Sequence, residues 1–361
     1  MHVIKLQSKL REYEAHFLDD NGFMVALQRH ENCVYVIDSN VWRIYAGTCF
    51  RDIPRADLII FPVSEDRKCL RSVEELYEKF MERSAKKNMT LISIGGGIVQ
   101  DVTGFTACTL YRGINWVFVP TTLLAQADSC IGSKTSLNFR GFKNLAGTFY
   151  PPSQILIYPP FLKSLEIRDY LSGLGEVAKL HVMGGEQMTS HMIEQLPLLL
   201  ERNLDSLENA IFSSLQVKQN YMEGDEFDAG RRNLLNFGHC FGHALESTSN
   251  YSIPHGTAVV LGMMFANLVA KSRELLSAEK CDFLNNQLFA KLLVGSVDPE
   301  NIKYDGILKA MKQDKKRVGE GLVIVLMKDD HTFVKVVDFA ESELAASLEE
   351  YTKFFKTPCT L

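Results

Sequence analysis

The sequence predicts an α/β domain with a Rossmann-like, largely parallel sheet, followed by a mainly helical, all-α domain. Three observations carry this prediction. Short β-branched runs alternate with helical stretches over the first 165 residues, at the spacing of strand–helix–strand units. That alternation is punctuated at its end by Tyr150-Pro151-Pro152 and Tyr158-Pro159-Pro160. Beyond this point apolar residues recur at helical spacing. The boundary is placed so that residues 1–165 form the α/β domain and 166–361 the helical one.

The elements follow in order. Val34–Asp38 and Leu58–Pro62 read as strands, and Val73–Lys86 as an amphipathic helix with its charges on one side. Leu91–Ile94 is a strand that runs into Gly95-Gly96-Gly97; a helix follows, then a strand at Trp116–Pro120. In the second half, Leu171–Val182, Met188–Leu200, Leu207–Met222, Leu234–Ser247 and Ala258–Leu275 carry the helical period. Leu322–Met327 and Thr332–Val337 flank Lys328-Asp329-Asp330-His331 as a β-hairpin, and Ser342–Phe355 closes the chain as a helix.

Composition excludes several classes. With 361 residues and 46% hydrophobic content, the chain can bury two cores. Its net charge is −5 and its cations are scattered, so no basic stripe for nucleic acid is expected. The first residues have neither an apolar core region nor a small-residue cleavage site, so no signal peptide is expected. The longest near-apolar run, Gly256–Ala270, is too short for a bilayer and is interrupted by Asn267. No membrane association is expected. Eight cysteines without a C-x-x-C pair read as reduced thiols, which points to the cytoplasm.

Three stretches carry chemistry. The first is Gly95-Gly96-Gly97 between a strand and a helix, where the backbone can approach a diphosphate at a helix N-terminus. It lacks the last glycine of G-x-G-x-x-G, so a tight turn is the competing explanation; Asp101, a turn further on, would orient a nucleotide or cap the helix. The second is Glu176 together with His239, His243 and His255. His239 and His243 are four apart and share a helical face, which Arg232 and Asn236 extend backwards. A carboxylate with two or three imidazoles suits a catalytic Zn²⁺, and spacing leaves open which histidines take part. Other histidines (His2, His16, His30, His191 and His331) read as ordinary hydrogen-bonded residues. The third is a series of cations and an amide: Arg112, Lys134, Lys143-Asn144, Lys179, Lys218, Arg232 and Lys315-Lys316-Arg317. Such side chains can hold a phosphate and a carboxylate, whereas most other lysines belong to a solvated surface.

The ordered set GGGIVQDVTGF, YRGINWVFVPTTLLAQADSCIGSKTSLN, KNLAGTFYPP, GLGEVAKL, DEFDAGRRNLLNFGHCFGHALE, IPHGTAVVLGM and QDKK resembles the 3-dehydroquinate synthase family and the wider sugar-phosphate cyclases. The resemblance spans about residues 35 to 330 and implies a dehydroquinate synthase-like fold with an NAD-binding first domain and a metal- and substrate-binding second one. It implies that Glu176, His239 and His255 bind Zn²⁺ or Co²⁺, with His243 facing substrate or phosphate. It implies NAD contacts from Asp38, Asn40, Glu65, Lys68, Gly95, Gly96, Gly97, Asp101, Thr121 and Thr122. Asp128, Lys134, Lys143 and Asn144 would line the substrate, and Arg112 would reach a phosphate, across the interface of a homodimer. Lys179, Lys218, Arg232, Asn236 and one of Lys315 or Lys316 would complete the pocket.

The implied reaction takes a heptulosonate phosphate to 3-dehydroquinate through transient oxidation, phosphate elimination, reduction and an intramolecular aldol closure. Lys218 and Arg232 suit an acid substrate. Gln100, Ser133, Cys240 and Leu180-His181 depart from the family pattern, which has glycine, glycine, threonine and Tyr-Gly there; a paralogous cyclase of secondary metabolism is the nearest alternative. A metal-dependent polyol dehydrogenase is the alternative of another class, and the phosphate-facing set Lys134, Asn144 and Arg112 argues against it.

Overall fold

The computed structural model describes residues 2–28, 32–140, 142–293, 302–313 and 321–356. In chain order the elements are β1 (Val3–Gln7), β2 (Glu12–Phe17), α1 (Asp20–Gln28), β3 (Cys33–Asp38), α2 (Ser39–Tyr45), β4 (Leu58–Phe61), α3 (Leu70–Glu82), β5 (Thr90–Gly95), α4 (Gly97–Thr109), β6 (Asn115–Pro120), β7 (Lys134–Phe139), β8 (Phe142–Phe149), β9 (Gln154–Ile157), α5 (Ile167–Met183), α6 (Glu186–Leu200), α7 (Leu204–Met222), α8 (His239–Thr248), α9 (His255–Ser272), α10 (Ala278–Leu284), α11 (Tyr304–Lys312), β10 (Leu322–Met327), β11 (Phe333–Phe339) and α12 (Glu341–Lys356). They form two compact units, 1–165 with 207–227, and 166–206 with 228–361. The segment 207–227, placed in the second domain from sequence, packs instead with the first unit. The ring of Phe212 meets that of Phe17 at 5.7 Å, and the Gln219 amide donates to the Lys5 carbonyl.

The first unit is built on a seven-stranded sheet in the order β1-β2-β9-β6-β5-β3-β4. β1 pairs antiparallel with β2, and every other pairing is parallel. All of β5 is buried, as a strand covered on both faces requires. Ile37, Ile92, Ile94, Val117 and Val119 pack there with Phe23, Phe50 and Phe161. The β5–α4 junction therefore leaves the sheet at the carboxyl ends of its parallel strands, where open α/β sheets bind ligands. Two hairpins were not anticipated. β1–β2 lacks Gly or Pro in its Ser8–Arg11 turn, and β7–β8 is too polar and exposed to show an apolar alternation.

In the second unit α5 is buried at every position from Tyr170 to Met183, and α9 at almost every position from Gly256 to Ala270. Glycines bring these helices and α8 together backbone to backbone. A Cβ at Gly256 would stand 1.7 Å from the Ser172 carbonyl oxygen, and one at Gly262 1.8 Å from that of Gly238. The helix expected over 234–247 does not run through. Residues Arg231–Asn236 form a 3₁₀ turn, Gly238 adopts φ +78°, and α8 begins at His239. Gly238 resets the chain direction in the left-handed region that glycine tolerates, so Arg232 and Asn236 do not extend the histidine face. No helix among the described residues is long and apolar enough to cross a membrane.

Candidate functional site

In the first unit the loop Gly95-Gly96-Gly97 joins a buried strand to the N-terminus of α4. A Cβ at Gly96 would stand 2.8 Å from Thr122 Cγ2, so the loop and the 121–122 segment are in close contact. Thr121 donates its N–H to the Gly95 carbonyl, and Thr122 Oγ1 accepts from Ala125 N. At Gly97 a Cβ would meet nothing within 4 Å, which leaves open space beside the helix N-terminus. This is the cradle a diphosphate needs. At the end of β3, Asp38 caps α2 by accepting from Asn40 N at 2.7 Å; burial raises its pKa against those amide contacts.

Polar side chains tie α4 and the 65–68 turn to the β7–β8 hairpin. Lys68 Nζ lies 2.6 Å from Asp101 Oδ2 and donates to Asn144 Oδ1 at 2.7 Å. Ser136 donates its N–H to Asp101 Oδ1 and its hydroxyl to Asn144 Oδ1, at 2.8 and 2.9 Å. Glu65 accepts from Asn138 and lies 3.3 Å from Lys143 Nζ. Burial raises the Asp101 pKa, against the opposing pull of Lys68 and Ser136. Lys68, Asp101, Lys143, Asn144 and Glu65 are thus one connected group, while Lys134 is exposed at the start of β7.

Lys218, expected to meet a substrate carboxylate, closes on Asp128: its Nζ is 2.6 Å from Asp128 Oδ1 and donates to the Asp128 carbonyl. Gln100 explains itself here. Its buried amide donates to the Ser129 carbonyl and accepts from the Ser129 hydroxyl, both at 2.6 Å, so α4 grips the segment that carries Asp128. Ser133 adopts φ +63°, the region that explains the glycine of the family pattern. Arg112 is exposed on a turn where Tyr111, Arg112 and Gly113 all have positive φ.

The second unit assembles the carboxylate and the histidines. Glu176 is fully buried on α5, with Lys179 one turn on and its Nζ 2.5 Å from Glu176 Oε2. Glu176 Oε1 faces Nε2 of His255 at 3.3 Å and Nε2 of His239 at 3.6 Å. Both imidazoles engage an oxygen through the other nitrogen: His239 Nδ1 with the Phe237 carbonyl at 3.1 Å, and His255 Nδ1 with Glu246 Oε2 at 3.1 Å. With Nδ1 so engaged, Nε2 is the nitrogen that each ring turns toward Glu176. His243, exposed one turn along α8, has its ring 5.3 Å from that of His239. The ligand atoms of the three histidines lie within 4.8 Å of one another.

The electrostatics of the three groups differ, because each has different charges beside it. Burial raises the Glu176 pKa, but Lys179 and His255 outweigh it and hold the carboxyl well below its ordinary range. Burial and the neighbouring cations keep His239 neutral, its pKa well below the usual histidine value. Burial lowers that of His255, but Glu176 and Glu246 prevail and raise it to about 10. The donor set fits a tetrahedral divalent metal: bonds of ~2.0–2.1 Å at tetrahedral angles separate neighbouring ligand atoms by about 3.4 Å, close to the two Oε1–Nε2 distances.

Arg232 is 3% exposed in the 3₁₀ turn, and Asn236 donates to the Asn233 carbonyl at 2.7 Å. Lys315 and Lys316 lie outside the described residues. Glu246 was missed from sequence. Its signal was present: it sits seven residues after His239 and three after His243, on the same face of α8.

The chain is similar to known proteins over most of its length. Residues 58–172 match the 3-dehydroquinate synthase N-terminal family and 173–317 the 3-dehydroquinate synthase C-terminal family. A 3-dehydroquinate synthase from Clostridium tetani is 34% identical over 317 residues, covering 87% of this chain and 84% of that protein. Among solved structures, a 2-deoxy-scyllo-inosose synthase complexed with carbaglucose-6-phosphate, NAD⁺ and Co²⁺ superposes with a TM-score of 0.84 at 21% identity, over 97% of this chain and all of that one. A 2-epi-5-epi-valiolone synthase from Streptomyces hygroscopicus, with NAD⁺ and Zn²⁺ bound, gives 0.84 at 23% identity over 96% of this chain and 99% of that one. At such identities the two structures speak for the fold.

Proposed function

The chain belongs to the 3-dehydroquinate synthase family, enzymes of the phosphate-eliminating cyclase type, and on that premise we propose that it converts 3-deoxy-arabino-heptulosonate 7-phosphate to 3-dehydroquinate and phosphate, with NAD and one Zn²⁺ or Co²⁺. The observation that carries this proposal is the facing of Glu176 Oε1 by the Nε2 atoms of His239 and His255.

When bound, NAD supplies a reversible hydride acceptor and the divalent cation supplies Lewis acidity. The protein's own groups do the rest. Glu176, His239 and His255 hold the metal, and Lys179 keeps Glu176 ionised for it. The Gly95–Gly97 loop takes the cofactor diphosphate, and Asp38, Asn40, Thr121 and Thr122 take its remaining groups. Glu65, Lys68 and Asp101 fix that end of the cofactor through the network they share with Asn144. Lys134, Lys143 and Asn144 bind phosphate, joined by Arg112 from the other protomer of a homodimer. His243 and Asn236 face the substrate. Arg232, buried in the 3₁₀ turn, offers the fork of donors that a substrate carboxylate accepts from. The Asp128–Lys218 pair positions a substrate hydroxyl. A phosphate so held is placed to accept the proton from the neighbouring carbon as it leaves, and positioning supplies much of the rate of the aldol closure. A cytoplasmic location fits the eight thiols.

The test is phosphate release from Zn²⁺-loaded protein with catalytic NAD, offered the heptulosonate phosphate, its amino analogue, sedoheptulose 7-phosphate and glucose 6-phosphate in parallel. Turnover of the first alone, giving dehydroquinate, is the expected result. Turnover of another substrate in its place would keep the cyclase chemistry and make this a paralogue of secondary metabolism, while net NADH accumulation from a simple polyol would replace the cyclase with a dehydrogenase.

A further inference from the structure

Glu246 is a buried carboxylate on α8, 7% exposed, whose Oε2 lies 3.1 Å from His255 Nδ1. His255 opens α9, and its other ring nitrogen faces Glu176 Oε1 at 3.3 Å. The backbone around this contact is held from both sides. The Tyr251 N–H donates to the Glu246 carbonyl, and the Gly256 N–H donates to Ser172 Oγ on the helix that carries Glu176. His239 is oriented differently, by the neutral Phe237 carbonyl. The two candidate imidazole ligands therefore differ in what stands behind them, a carboxylate in one case and a peptide in the other.

We propose that Glu246 is a positioning residue of the metal centre: by accepting from His255 Nδ1–H it fixes the tautomer and ring orientation that present Nε2 to the metal, and it raises the basicity of that one ligand. The inference rests on the metal site proposed above. A carboxylate behind a ligating histidine strengthens the ligand because the imidazole gains positive character on donating to a metal, and an anion hydrogen-bonded to Nδ1–H stabilises that charge. Glu246 has the burial to exert this field with little screening and the helix register to aim it. Truncating outer carboxylates of this kind weakens metal binding roughly 10- to 100-fold.

The test is Zn²⁺ affinity, measured by chelator competition on the full chain in the absence of substrate, with the Co²⁺ absorption spectrum as a second readout. Glu246→Ala should bind Zn²⁺ about 10- to 100-fold more weakly, with an altered Co²⁺ spectrum. Glu246→Gln, which keeps an acceptor but removes the charge, should fall between it and the parent and bind severalfold more weakly. His239→Ala serves as the control for the site itself and should bind far more weakly than either. Unchanged affinity and spectrum in Glu246→Gln and Glu246→Ala, with binding lost in His239→Ala, would overturn the role of Glu246 and leave the metal site standing. Unchanged affinity in His239→Ala would overturn both. A purely structural Glu246 would lower the melting temperature of the metal-free protein without moving the Zn²⁺ affinity of the folded fraction, so the two roles separate even where Glu246→Ala folds poorly.

Discussion

Lys179 and Glu176 form a buried ion pair within one turn of α5, 2.5 Å from Nζ to Oε2, on the helix that brings the carboxylate under two imidazoles. Its energetics are set by the buried charge that Glu176 keeps when Lys179 is removed. A fully buried carboxylate without a counter-charge is costly, and removing one partner of such a pair destabilises a protein by about 3–5 kcal/mol.

Lys179→Met should therefore unfold several kcal/mol more easily than the parent in urea when metal is absent. Saturating Zn²⁺ should recover part of the loss, since a cation beside Glu176 replaces the missing charge. Equal destabilisation with and without Zn²⁺ would count against Glu176 as a ligand.

Gly97→Ala separates binding from folding. Its Cβ enters open space, and alanine is the better helix residue, so the melting temperature should hold or rise slightly. NAD affinity, followed by calorimetry, should fall at least 10-fold, because the methyl group occupies the diphosphate's approach. Unchanged affinity would remove this loop from the cofactor site.

His181 should make the fold acid-sensitive. It is 2% exposed, and burial lowers its pKa from 6.5 to about 4 despite the contact of Nδ1 with the Val177 carbonyl. The folded state thus favours the neutral ring. The stability this contributes is complete above pH 6.5 and is lost as pH falls from 6.5 toward 4. Urea unfolding at pH 7 and pH 4.5 should show that His181→Gln loses about 2 kcal/mol less than the parent over this interval. Equal losses would mean that other groups control the acid response.

Gln100→Ala should cost about 1–3 kcal/mol, the penalty for leaving buried polar partners unsatisfied, here the carbonyl and hydroxyl of Ser129. Because Ser129 follows Asp128, KM for the sugar phosphate should rise while the Kd for NAD stays within about twofold. A fall in NAD affinity with an unchanged KM would place Gln100 with the cofactor instead.

Much of this architecture was legible from residue order. The strands Cys33–Asp38, Thr90–Gly95 and Asn115–Pro120 are short apolar, β-branched runs and the helices α5, α6 and α9 longer apolar stretches, signals that lie along the chain. His239 and His243 share a face because four residues make about one turn. The ordered motifs indicated Glu176 and His255, although nothing in their spacing joins them to α8.

Tertiary structure decided the rest. Gly238 ends a helix that the apolar period would have continued, because contact with α9 leaves no room for a Cβ there. Lys218 is committed to Asp128, 90 residues away in sequence. Lys68, Asp101, Ser136 and Asn144 meet only because a polar hairpin folds across α4 and the turn at 65–68. Hydrophobic period and backbone propensity are local and can be read along a chain. Which nitrogen of His255 faces Glu176, and which faces Glu246, depends on three helices packed to backbone contact.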